Sequence, residues 1–149
     1  PKAVIGNGMI YIGTSYMRPQ MLGIDVSKPQ PEIAWSCKRS VPAISSPILI
    51  GEELYFVSDS GGMVTCLDAK TGEELWRERI GGNHGSSPTF VGGRILFHSK
   101  EGETVALKPG REFKILARNK LDGEHHASAA ISGNSIFLRT ETALYKISE

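Results

Sequence analysis

Hydrophobic residues in this chain fall in short, unbroken blocks separated by polar turns, and none recurs with the 3.6-residue period of an amphipathic helix. Ile48-Leu49-Ile50 and Leu54-Tyr55-Phe56-Val57 are continuous rather than alternating. A strand reads this way when both faces of its sheet are covered. Between the blocks stand Gly51-Glu52-Glu53, Asp59-Ser60-Gly61-Gly62 and Lys70-Thr71-Gly72, with Gly where a tight turn asks for positive φ. The pattern predicts strands A to D over 47–50, 54–58, 63–68 and 74–79.

The unit repeats. Ser45-Ser46-Pro47-Ile48-Leu49-Ile50-Gly51 returns as Ser86-Ser87-Pro88-Thr89-Phe90-Val91-Gly92 and, degraded, as Ala127-Ser128-Ala129-Ala130-Ile131-Ser132-Gly133, each step being 41 residues (45 to 86, 86 to 127). Leu54-Tyr55-Phe56, Ile95-Leu96-Phe97 and Ile136-Phe137-Leu138 keep that step, as do Trp35 and Trp76, and Ile10-Tyr11-Ile12 precedes Leu54 by 44. The units run over about 1–40, 41–81, 82–122 and 123–149. Four-stranded antiparallel sheets covered on both faces at this period describe an all-β fold, the β-propeller, with about four blades. The last unit stops before its strand D.

Charge and composition narrow the partners. Seventeen Lys+Arg against sixteen Asp+Glu leave a net charge of +1. That balance rules out a strong case for nucleic-acid or anionic-membrane binding, since both need a clustered positive surface. No apolar run approaches the roughly 20 residues of a membrane-spanning helix. The chain begins at Pro1 without a signal-like start and reads as a piece of something longer. Cys37 and Cys66 read as small buried hydrophobes, a bridge being open only if their backbones approach.

The stretch Cys66-Leu67-Asp68-Ala69-Lys70-Thr71-Gly72-Glu73-Glu74-Leu75-Trp76 resembles the tryptophan-docking motif of PQQ-like (quinoprotein-type) propeller repeats, Ala-x-Asp-x-x-Thr-Gly-x-x-x-Trp, departing at Cys66 alone. The first unit keeps Asp25 and Trp35 but has Lys28-Pro29-Gln30-Pro31 in place of Thr-Gly, and the third keeps Ala106 and Gly110 without a Trp. The resemblance implies an eight-bladed ring of which this chain is about half. An open array leaves an apolar blade face at each end. The missing blades are therefore expected from a longer chain, from a second copy across a two-fold axis, or from closure as an unusual four-bladed ring.

The resemblance implies a non-enzymatic binding scaffold in the periplasm or otherwise outside the cytoplasm, holding a protein or ligand on loops around the channel, with no cofactor. The alternative it implies is a fragment of a quinoprotein dehydrogenase, which holds PQQ with calcium on carboxylates. No such cluster and no vicinal cysteines stand out in this sequence.

Candidate residues are few. His84 and His125 are 41 apart, in equivalent loops before strand A, where a propeller opens onto its channel. With His126 or Glu124 they form a candidate set for a metal or an anionic ligand, against the plainer reading of solvated loop residues. The B–C hairpins shorten along the chain: Ile10 to Ile24 is 14, Leu54 to Leu67 is 13, Ile95 to Leu107 is 12, Ile136 to Ile147 is 11. The first carries Tyr16, Met17 and Arg18, residue types of a recognition loop, unless the tip folds over its own blade. Trp35 and Trp76 read as wedges between blades. Asp25 and Asp68 read as ordering the turn after strand C, with Gly72 inside it. Glu52-Glu53 and Glu73-Glu74 read as solvated turn pairs, and the Gly-Gly pairs precede no helix that would make them a phosphate loop.

Overall fold

The structure, a computed structural model, describes residues 1–15 and 17–148. Among these, every regular element is a β-strand, and all pairings are antiparallel between neighbours in sequence. The first sheet is β1 (Val4–Gly6), β2 (Met9–Thr14), β3 (Gln20–Asp25) and β4 (Glu32–Cys37). The second is β5 (Ile48–Ile50), β6 (Glu53–Val57), β7 (Met63–Asp68) and β8 (Glu74–Arg79). The third is β9 (Thr89–Val91), β10 (Arg94–His98), β11 (Glu103–Leu107) and β12 (Ile115–Lys120). The fourth has three strands, β13 (Ala130–Ser132), β14 (Ser135–Arg139) and β15 (Leu144–Ser148). These are propeller blades, each running from a short strand A outward.

Three boundaries differ from the expected ones: strand B begins one residue early, at Glu53, which pairs with Ile50 and Asp68. Strand A of the second blade starts at Ile48, since Pro47 has no N–H for the ladder. Strand B ends at Val57 because Ser58 is spent on the turn: its N–H reaches Met63 O at 2.9 Å and its hydroxyl reaches Ser60 O at 2.8 Å.

The core lies between blades. Leu54, Phe56 and Leu67 face the first blade, against Met9, Tyr11, Met21 and Trp35. Tyr55, Val57, Val64, Cys66 and Trp76 face the third, against Ile95, Phe97, Val105 and Leu107. Alternate residues of β6 therefore serve opposite neighbours, and Leu54 to Val57 are all fully buried. That two-sided burial is the physical source of the unbroken apolar block. Each such side chain contributes roughly 1.5–3 kcal/mol.

The tryptophans tie blades together. Trp35 donates its indole N–H to Ala69 O at 2.9 Å, and Trp76 donates to Gly110 O at 3.0 Å, each acceptor 34 residues ahead. Both acceptors lie just after strand C of the next blade. A bulge between Cys66 and Leu67 in the β7–β8 pairing sets Trp76 opposite Cys66, and the same irregularity sets Trp35 opposite Gly23. Gly72 lets Trp35 approach: a Cβ there would lie 2.6 Å from the indole Cδ2, and the backbone has φ +73°. Asp68 accepts the N–H of Lys70 and both the N–H and hydroxyl of Thr71 at 3.0–3.1 Å, ordering that turn. These donors, the Thr71 N–H foremost, hold its carboxyl below the usual range.

A second tie runs along the inner strands. Lys2 N donates to Ser46 Oγ at 2.7 Å, Ser46 N to Ser87 Oγ at 2.9 Å, and Ser87 N to Ser128 Oγ at 2.9 Å. Lys2 of the first unit and one serine from each of the other three thus link four blades in series. Cys37 is half-buried and Cys66 buried, both as free thiols, and burial pushes the Cys66 thiol up to about 12.

Candidate functional site

In this topology the B–C turns and the D–A loops share one end of the blades, the end that carries the candidate residues. In the second blade, Asp59 in the B–C turn accepts the N–H groups of Ala43 and Ile44 at 2.7 and 3.2 Å. One unit later His84 stands at the Ala43 position. Its N–H donates to Asp59 O at 2.8 Å, and its ring nitrogens lie 3.1 Å from His98 O and 2.9 Å from Gly81 O. Only 1% of His84 is exposed. Each nitrogen faces a backbone carbonyl, and the protonated one donates to it, so the buried ring braces the loop against the blade. Beside it, Glu101 accepts the N–H and side-chain amide of Asn83 at 3.0 and 2.7 Å, and these bonds hold its carboxyl down to about 2.

His125 repeats the loop geometry, its N–H reaching Lys100 O at 3.1 Å, and it is also only 1% exposed. Neither ring nitrogen finds a partner, and burial lowers its pKa. Its ring lies 6.2 Å from that of His98. His98 closes β10, with Nδ1 2.9 Å from Thr104 Oγ1 and Nε2 3.4 Å from Thr89 Oγ1. Burial, then the proximity of His125 and His84, brings His98 down to about 4. The rings of His98 and His125 thus meet beside the seam of the third and fourth blades, with His84 against the His98 carbonyl on the other side. Sequence reasoning gave His98 no role. Its signal is parity on strand B: His98 occupies the place of Val57, which faces the following blade.

His126 goes elsewhere. It is exposed, with Nε2 3.1 Å from Glu124 Oε2 and 3.7 Å from Glu141 Oε1. Ligand atoms of Glu124, His126 and Glu141 lie within 4.8 Å of one another. A shallow cavity of about 290 Å³, also lined by Arg139 and Thr140, opens beside them. The His84–His125–His126 set expected from spacing is therefore divided: His84 is buried in the loop entering the third blade, His125 is buried beside His98, and His126 joins two carboxylates. One imidazole with two carboxylates is a nitrogen–oxygen donor set of the kind that suits first-row divalent metals.

In the first blade the hairpin 14–20 is closed by Thr14, whose hydroxyl accepts the Gln20 N–H at 2.9 Å. Met17 is 85% exposed with φ 57°, and Arg18 is exposed beside it. Tyr16 lies outside the described residues.

The resemblance also raised PQQ with calcium. Such a site asks for carboxylates gathered out of solvent. Among the described residues the buried polar side chains are Ser, Thr and His, and the one convergent carboxylate pair, Glu124 and Glu141, is exposed. The residues present do not fit that group.

Four antiparallel blades, indole wedges docked on the next blade's C–D turn, and a 41-residue period together define a set of PQQ-like propeller repeats. The family model described as outer membrane protein assembly factor BamB matches residues 2–78, 21–111 and 60–147, and the chain belongs to that family. Solved structures share the fold. BamB from Moraxella catarrhalis aligns with a TM-score of 0.73 at 14% identity, over 97% of this chain and 41% of that one. A quinohemoprotein alcohol dehydrogenase, ADHIIG, from Pseudomonas putida HK5 aligns at 0.72 and 13% identity, over 91% and 27%. A europium-containing methanol dehydrogenase aligns at 0.68 and 16% identity, over 81% and 24%. The chain thus spans less than half the length of each of these structures. Among curated proteins, none matches this sequence.

Proposed function

We propose that this chain is part of a non-enzymatic scaffold propeller that binds a protein partner through the loops at one end of its blades. The observation that carries the reading is the hairpin 14–20, which presents Met17 and Arg18 to solvent beyond the end of the first blade. Met and Arg are enriched at contact surfaces. The chemistry near the channel supports the same reading: Asp59, His84 and Glu101 are engaged in holding loops rather than facing a common reacting centre. The matched family description supports a role in outer-membrane protein assembly, and with it a location outside the cytoplasm. The remaining blades, from a longer chain or a second copy, complete the ring in this reading.

The test is paired. Site-specific crosslinking from position 17 in cells is expected to trap one defined protein, and Met17→Asp with Arg18→Glu is expected to abolish the adduct without lowering Tm. A purified full-length protein that reduces dye only with added PQQ and calcium would instead favour the dehydrogenase reading.

A further inference from the structure

The first blade segregates its charges between its two ends. Residues 1–51 contain two carboxylates, Asp25 and Glu32, and both lie at the C–D turn. Asp25 closes β3, Glu32 opens β4, the two stand opposite each other in the ladder, and Lys28 pairs with Glu32 there. The other end holds only cations. Met21 pairs with Cys37, so the same register sets Lys38 opposite Gln20 at the base of the hairpin 14–20, and Arg39 follows. Arg18 in the hairpin, Lys38 and Arg39 are all exposed, the Arg39 side chain at 78%. The hairpin and the loop after Cys37 belong to the first and second blades, whose four strands are complete in this chain.

The second blade leaves these cations largely unmatched. Asp59 turns its carboxylate to the N–H groups of Ala43 and Ile44 rather than to a cation. Glu74 lies 2.7 Å from Arg77 Nη2 and 4.0 Å from Arg39 Nη1, so two guanidinium groups share one carboxylate. Glu78 stands opposite Val64, on the face turned to the third blade. Arg18 and Lys38 are in no ion pair among the described residues. Two apolar side chains reach solvent at the same end: Met17, 85% exposed in the hairpin, and Ile44, 55% exposed in the loop that Asp59 holds. The corresponding ends of the later blades mix the signs, with Asp59 and Arg79 in the second, Lys100 and Glu101 in the third, and Arg139 and Glu141 in the fourth.

We propose, building on the scaffold reading, that Arg18, Lys38 and Arg39 together with Met17 and Ile44 form a docking surface for an acidic segment of the partner protein. The segment's carboxylates meet the three cations, and its apolar side chains meet Met17 and Ile44. Complementary charge steers encounter and turns away basic partners. Two of the cations are Arg, whose planar fork matches a carboxylate bidentately. The exposed Met17 and Ile44 add apolar contact area that a purely ionic surface lacks. Polybasic segments that hold anionic lipid carry roughly 4–8 cations, and proteins on duplex DNA commonly make about 6–10 phosphate contacts. Three cations beside two apolar side chains suit a short acidic peptide better than either.

The probe is a fluorescein-labelled peptide alternating Glu and Leu, titrated into the full-length protein by anisotropy, with a Lys–Leu peptide as its control. Saturable binding of the Glu–Leu peptide alone is expected, weakening at least about fivefold from about 50 to about 500 mM NaCl as exposed charges are screened. Lys38→Glu combined with Arg39→Glu is expected to weaken it at least about tenfold and to confer binding of the Lys–Leu peptide, a gain that misfolding cannot produce. Lys28→Glu, at the opposite end of the same blade, is expected to leave it unchanged. Absence of saturable binding, equal binding of the two peptides, or Glu–Leu affinity unchanged in the folded double variant overturns the surface. Tighter binding to phosphatidylserine vesicles or to duplex DNA than to the Glu–Leu peptide overturns the acidic protein as its occupant. The crosslink from position 17 separates this from the scaffold reading. An adduct that persists in the double variant upholds the scaffold and overturns the acidic partner, whereas peptide binding with no adduct in cells upholds the surface and overturns the scaffold.

Discussion

Trp76 donates its indole N–H to the carbonyl oxygen of Gly110 at 3.0 Å, so the outer strand of one blade is pinned to the C–D turn of the next. The same ring lies 5.2 Å from Phe113 and 5.9 Å from Tyr55, and the Tyr55 hydroxyl accepts the Gly110 N–H at 2.7 Å. Packing and polar satisfaction thus meet at one turn.

Trp76→Ala is expected to cost roughly 3–5 kcal/mol, as truncations of buried aromatics do. Trp76→Phe keeps much of the area and removes the donor, leaving Gly110 O short of one bond, for a loss of about 1–2 kcal/mol. Urea unfolding of both variants checks the order. A Trp76→Ala loss below about 1 kcal/mol would show that the indole is not a wedge.

Gly72 and Gly93 separate two effects that glycine scans confuse. Both have positive φ, +73° and +72°. Around Gly93 a Cβ meets nothing within 4 Å, whereas at Gly72 it meets Trp35 at 2.6 Å. Gly93→Ala is expected to cost only the left-handed penalty, about 1–2 kcal/mol. Gly72→Ala adds displacement of the indole and loss of its bond to Ala69, so Tm should fall clearly further. Equal Tm losses would mean that the Trp35 contact carries no energy.

What the sequence disclosed, and what it hid, follows from where information is local. Strands 63–68 and 74–79 were legible to the residue, because turn glycines bracket them and two-sided burial leaves continuous apolar blocks. The wedge role of the tryptophans was legible from their spacing. Their acceptors were not, since Ala69 and Gly110 act through backbone carbonyls that any residue supplies. The serine series was visible as a motif but not as bonds between blades. His84 and His125 looked solvated among Gly and Ser, yet the loop folds inward and buries them. The missing third wedge was legible from the same step, since Ala117 stands 41 residues after Trp76, and the bulge between Ala106 and Leu107 gives it the same register.

Metal added to the protein should report on His126 and not on His84. The ring nitrogens of His84 face carbonyl oxygens, and freeing one sacrifices a loop contact. His126, Glu124 and Glu141 are exposed and already within reach of a common ion. In equilibrium dialysis with Zn²⁺, His126→Ala is expected to abolish uptake and His84→Ala to leave it unchanged while lowering Tm. The reverse pattern would restore the pairing of His84 with His125 as the ligand set.

Acid should loosen the seam of the third and fourth blades before it attacks the rest. His98 titrates near 4 in the fold against about 6.5 when unfolded, so between those values the unfolded chain binds the extra proton. Its contribution is then fully present above pH 6.5 and is lost as pH falls toward 4. A shift of this size corresponds to roughly 3 kcal/mol. His125, also lowered by burial, acts in the same direction. Asp68 and Glu101, whose carboxyls are held low by hydrogen bonds, lose their contributions only as pH falls from the unfolded carboxylate range near 4. Urea midpoints measured from pH 7 to 4 should therefore decline in the wild-type chain. His98→Val, which installs the residue found at the equivalent place in the second blade, should flatten most of that decline while His125 keeps part of it. An unchanged slope in His98→Val would place the acid sensitivity outside the imidazole cluster.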